Sequence, residues 1–148
     1  MSDPSITILT DIIKAQLERL VMLQEYHRLI DDPYVKSSLT FVIEDTQEAI
    51  AKLASRLRQI GGASTSKLSE EVTEKLLRQA MTRRALADKI RFVHNGLKYQ
   101  LNWYETQTKA LRHDPDTQAT LVALAEQNRV RLERWENLMA EMKVSPSQ

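Results

Sequence analysis

Cysteine is absent from the 148 residues, glycine occurs three times and proline four times. The first absence removes disulfides, thiolate metal sites and cysteine nucleophiles together, and it fits a reducing compartment. The scarcity of glycine and proline, with aromatics at 5%, excludes collagenous, low-complexity and ordinary all-β chains. No apolar run approaches the ~20 residues that cross a bilayer, and Met1-Ser2-Asp3-Pro4 lacks the basic-then-apolar layout of a signal peptide. A net charge of +1 offers no global attraction to a polyanion or an anionic surface. What is present is 42% hydrophobic and 28% charged residues. A chain of this length buries roughly 70% of its unfolded surface as one domain. The expectation is a soluble, cytoplasmic, all-α protein with a single domain over residues 1–148.

Three of the four prolines follow an aspartate, at Asp3-Pro4, Asp32-Pro33 and Asp114-Pro115. An aspartate that caps the first amides, followed by a proline whose missing N–H is not needed in the first turn, is how a helix starts. A first helix is predicted over about 4–30, with Ile6, Leu9, Ile13, Leu20, Leu23 and Ile30 on a three-four spacing that Gln16 and His27 complete. A second covers about 33–60, with Leu39, Ile43, Thr46, Ile50, Leu53, Leu57 and Ile60 on its stripe and Gly61-Gly62 as its left-handed stop. A third spans about 82–112 (Ile90, His94, Leu97, Leu101, Tyr104, Thr108, Leu111) and a fourth about 115–143 (Leu121, Leu124, Asn128, Arg131, Trp135, Leu138, Met142). The halves resemble each other at an offset of about 82 residues, Asp32-Pro33 matching Asp114-Pro115, Leu39 matching Leu121 and Thr46 matching Asn128.

Residues 61–81 are left as a crossover that turns helical at Ser69, with Glu70 and Glu71 suited to a first turn. Counted over residues 61–86, the stretch that the 82-residue offset leaves as connector, a helix would reach about 39 Å, enough to return the chain along the bundle, so the third helix would run parallel to the second. A single helix over residues 69–112 would overhang its partners by about 25 Å, which predicts a break between Leu77 and Arg84. Two antiparallel hairpins joined by one long crossover make a four-helix bundle of ferritin-like connectivity.

Asp45-Thr-Gln-Glu-Ala-Ile-Ala-Lys-Leu, followed by Gly61-Gly62, and Glu126-Gln-Asn-Arg-Val-Arg-Leu-Glu-Arg-Trp sit where rubrerythrin-type proteins carry Glu-x-x-His. With them the chain resembles the ferritin-like superfamily, whose members hold two irons with those motifs and single glutamates of the other two helices. The resemblance implies the bundle. The inward stripe, however, puts Thr46 and Ala49 in the motif of the second helix, and Asn128 and Arg131 in that of the fourth. Shifting the register to use Glu44 and Glu126 supplies Gln47 and Arg129 where histidines belong, and the nearest glutamate on the first helix, Glu18, faces outward beside Gln16. Two irons need about four carboxylates and two imidazoles to neutralise them, and Arg131 would repel metal. No cofactor is therefore expected, and the alternative is an iron-dependent oxidoreductase or iron-handling protein using Glu18, Glu44 and Glu126.

Gln16, Thr46, Asn128 and Arg131, with His94 on the neighbouring stripe, are expected to form a polar core layer. It is read as a hydrogen-bonded register device, with a small-ligand cavity serving a stress response as the alternative. No histidine has a second one at i+3 or i+4, and no serine, threonine or phosphate-binding loop supports a catalytic residue. Phe92, Gly96, Tyr99 and Trp103 form a second apolar stripe on the third helix, predicting a homodimer interface in a scaffold or interaction protein. Residues 78–112 hold eight basic residues against two acids, but these point in several directions and no nucleic-acid partner is expected.

Overall fold

The computed structural model describes residues 3–64 and 67–146. Every regular element among them is a helix: α1 (Pro4–Leu29), α2 (Pro33–Gln59), α3 (Glu70–Ala80), α4 (Leu86–Ala110) and α5 (Pro115–Glu141). The three Asp-Pro starts work as their chemistry requires. Asp3 accepts from the amide of Ser5, Asp32 from those of Tyr34 and Val35, and Asp114 from that of Thr117. Ser69 caps α3 through the amide of Val72. None of the helices is long and apolar enough to cross a membrane, among the described residues.

The long helices end within two residues of expectation, but the third predicted helix starts at Leu86 and not near residue 82. The amides of Thr82 and Arg83 turn back onto the carbonyls of Gln79 and Ala80, so the helix breaks over Met81 to Ala85, overlapping the break expected between Leu77 and Arg84. Of the Ser/Thr-rich connector, residues 65 and 66 lie outside the described chain.

Contacts fix the directions. Arg56, near the end of α2, meets Asp114 and Thr117 at the start of α5. Gln16 of α1 meets Tyr104 of α4, while Tyr26 lies against Phe92 a few turns earlier in α4. Each adjacent pair, α1–α2, α4–α5, α1–α4 and α2–α5, is thus antiparallel, and α4 runs parallel to α2. The connector returns along α1: Leu68 and Val72 lie beside Ile13 and Leu17, while Ala80 joins the core beside Tyr26.

The repeat suggested by sequence extends to the helix ends. Helices α2 and α5 both have 27 residues and start 82 positions apart. Both close on the same hydrogen bond, Gly62 N–H to the Leu57 carbonyl and Val144 N–H to the Met139 carbonyl, each at 2.9 Å. Each end needs a left-handed residue, Gly61 at φ 92° and Lys143 at φ 56°.

The stripes drift by one position from a strict three-four pattern, because 3.6 residues per turn does not match a repeat of 3.5. Ile12, Met22 and Tyr26 are buried on α1, whereas Leu20 and His27 are half-buried. His27 bonds Thr40 across the α1–α2 hairpin. The apolar core forms two clusters, one around Leu23, Leu39, Ile90 and Trp135 and the other around Leu9, Leu53, Leu121 and Leu111. Between them lies a polar layer.

Candidate functional site

All four long helices supply this layer. Gln16 of α1, Thr46 of α2, Gln100 of α4 and Asn128 of α5 are buried. They line a small, partly open cavity together with Asp45, Tyr104, Gln127 and Arg131. The cavity measures about 20 Å³, room for a single water molecule.

Most of these polar groups have a definite partner. Gln16 Nε2 donates to the Tyr104 hydroxyl at 2.5 Å, and Gln16 Oε1, which has no protein partner, is the acceptor that a water in this cavity would satisfy. Burial pushes the Tyr104 phenol up to about 12, against the pull of its bond with Gln16 and of nearby Arg19, so it stays a neutral hydroxyl. Thr46 returns its hydroxyl to the Val42 carbonyl of its own helix at 2.8 Å. Asn128 Nδ2 donates across to the Leu97 carbonyl at 2.8 Å, and one heptad along α5 Trp135 Nε1 donates to the Ile90 carbonyl at 3.0 Å. These two bonds, seven residues apart on both helices, lock the register of α4 on α5. Arg131 Nε binds Asp45 Oδ2 at 2.7 Å, and its guanidinium stacks over the Phe41 ring at 5.3 Å.

Four of the five expected layer residues are thus brought together and His94 is not. It is buried further along the α4–α5 contact, with Nε2 2.9 Å from Glu136 Oε2 and Nδ1 without a partner. The stripe drift and the reach of its ring toward α5 account for the difference. Asp45, Gln100, Tyr104 and Gln127 complete the layer although sequence reasoning did not select them. The lone seam cation Arg131 was the usable signal, since a buried guanidinium requires an acid within reach.

The three candidate iron glutamates do not converge. Glu44 is exposed beside Gln47 and His27, Glu126 is exposed and paired with Arg129, and Glu18 is half-buried but lines no part of the cavity. Among the described residues no group of three or more His, Cys, Asp or Glu side chains could hold a metal ion. The layer offers one carboxylate, already neutralised by a guanidinium, so its donor set does not fit two irons. Nor does the cavity admit an organic molecule, which pockets of roughly 300 Å³ or more accommodate.

The expected interface stripe is largely claimed by its own chain. Phe92 packs edge-on against Tyr26 and beneath Arg83, and Trp103 packs edge-on against Tyr104. Arg19 of α1 covers Gly96, so the space the glycine opens is filled from within the chain and not by a second subunit. Tyr99 alone of the four is strongly exposed, at 62%. Of the basic residues between 78 and 112, Arg83 and Arg91 share a groove with Arg19. Comparison with known proteins finds no family model that matches the chain and no match among curated proteins or solved structures.

Proposed function

We propose that the chain is a ferritin-like four-helix bundle that works as a non-redox binding module, with a structural polar layer where that superfamily holds iron. The connectivity supports the architecture: two antiparallel hairpins, a partly helical crossover along α1, and α4 parallel to α2. The observation that carries the functional half is the Asp45–Arg131 pair at 2.7 Å inside the layer. A cation fixed where a metal would lie raises the electrostatic cost of a divalent ion. The pair instead ties α2 to α5 between the two apolar clusters, a register role well attested for polar groups in helical bundles.

Metal analysis of protein purified from iron-supplemented cells tests this reading, with absorption spectra before and after exposure to oxygen. The expected result is well under one iron per chain and no oxygen-dependent band. Two irons per chain would overturn it and make the protein an oxidoreductase.

A further inference from the structure

A single glycine lies inside the four long helices, Gly96 in the middle of α4. Mid-helix glycine costs roughly 1 kcal/mol relative to alanine, so something must need its missing side chain. A Cβ there would stand 3.0 Å from Arg19 Nε and 3.3 Å from Arg19 Cζ. Gly96 thus seats a guanidinium between α1 and α4.

Among the described residues nothing neutralises that guanidinium. Arg19 Nη1 is buried without a hydrogen-bond partner, and no carboxylate among the described residues pairs with Arg19. Burial draws its proton affinity down to about 10, so it remains charged at neutral pH. A chain that excavates a helix to hold a largely buried, unpaired cation has made half of an ion pair.

The other half has room to arrive. Arg19 lines a groove of about 840 Å³ with Arg83, Asp88, Arg91, Asn95 and Tyr99, a volume within the range of organic-ligand sites. Among the described lining residues, three guanidiniums stand against one carboxylate, an excess of two positive charges. Arg83 is held in place by the Tyr26 hydroxyl at 3.2 Å and by stacking on Phe92, and Arg91 by Asp88 and the Ser145 carbonyl. The exposed Tyr99 ring gives the groove a flat apolar wall beside the charge.

We propose that this groove binds a small aromatic phosphate monoester, its dianionic phosphoryl group on Arg19 and Arg83 and its ring against Tyr99. The planar guanidinium fork suits phosphate oxygens, the charges balance, and the space exceeds what inorganic phosphate would fill. The proposal is independent of the metal question, because it uses no residue of the polar layer.

The test is calorimetric titration of the full chain at low salt with phenyl phosphate and adenosine 5′-monophosphate, with adenosine and inorganic phosphate as controls. At least one of the two esters should bind one per chain, at least tenfold tighter than either control, and weaken as salt is raised. Arg19→Met should cut that affinity at least tenfold while leaving the thermal midpoint unchanged or higher, because it removes a buried charge. Tyr99→Ala, on an exposed ring, should weaken the esters but not inorganic phosphate. Failure of both esters to bind at millimolar concentration would overturn the proposal. So would binding as weak as that of the controls, or binding indifferent to both substitutions in variants that retain their helical circular dichroism.

Discussion

The α1–α2 hairpin and the α4–α5 hairpin share a frame and differ in what fills it. At matched positions of the two hairpins, Thr46 corresponds to Asn128, Ala49 to Arg131, Leu53 to Trp135 and, just past the helix ends, Gly61 to Lys143. In the first hairpin these residues are small or apolar, and Thr46 spends its hydroxyl on its own helix. In the second they reach outward: Asn128 and Trp135 bond the backbone of α4, and Arg131 crosses to Asp45 of α2. The side-chain bonds to backbone that fix helix register at these positions therefore come from the second copy of the repeated frame, while Gln16 and Arg56 of the first reach across to the second. A second contrast concerns the outer sides. Helix α1 is crossed by α3, whereas on α4 the comparable space is the arginine-lined groove. Chain connectivity explains it, since the crossover leaves α2 and must pass α1 before it reaches α4.

Substitutions at matched positions can break this comparison. The largest effect is expected at the 53/135 pair, both nearly inaccessible to solvent. Trp135→Ala should cost about 4 kcal/mol in urea unfolding and Leu53→Ala about 3, because Trp135 also loses its bond to the Ile90 carbonyl. Equal losses would mean that the α5 cross-links add little.

Acid should expose the next difference. Burial alone would raise the Asp114 carboxyl, but hydrogen bonds from Thr117 and Ser5 and the charge of Arg56 outweigh it and hold the group at about 2. A carboxyl depressed from 3.8 contributes stability that is complete above that value and lost as pH falls toward 2. That contribution is about 2 kcal/mol, and Asp114→Asn should remove it, flattening stability between pH 4 and about 2. An unchanged acid limb would show that the contacts of Thr117, Ser5 and Arg56 do not hold the Asp114 carboxylate ionised in the fold.

The Asp45–Arg131 bridge is partly solvated, with side-chain exposures of 22% and 16%, so screening lowers its worth. Arg131→Ala should cost about 1 to 2 kcal/mol, and a double-mutant cycle with Asp45→Ala should show coupling of about 1 kcal/mol. Zero coupling would remove the pair from the account of how α2 holds α5. The smallest effects belong to the helix ends. Lys143→Gly should stabilise by up to about 1 kcal/mol, whereas Gly61→Ala should destabilise by a similar amount, since both sites have positive φ. Thermal midpoints moving the same way for both would mean the two ends are not equivalent.

Much of this was legible without coordinates. Aspartate-proline pairs marked three helix starts, Ser69 with Glu70 and Glu71 marked a fourth, and the matched Asp32 and Asp114 exposed the repeat. Gln16, Thr46, Asn128 and Arg131 were placed together because helical periodicity puts residues of similar depth on one level. His94 falls outside the layer and Tyr104, expected only on the stripe of its helix, falls inside it, because spacing reports which face a residue occupies and not how far its side chain reaches. The iron ligands of the alternative reading failed for a related reason: a glutamate one position off the stripe turns by about 100°, which puts Glu44 and Glu126 on the outside.

By itself the sequence determined the helices, their ends and their repeated frame, because capping, periodicity and glycine stops act within a few residues. Only the tertiary structure decided which acid meets Arg131, that Gln16 bonds Tyr104, and that Gly96 exists for Arg19. Those partners lie 86, 88 and 77 positions apart, as numbered in the chain, and meet only once the helix register is set. Long side chains then find partners by distance and charge, quantities that periodicity along one helix does not contain.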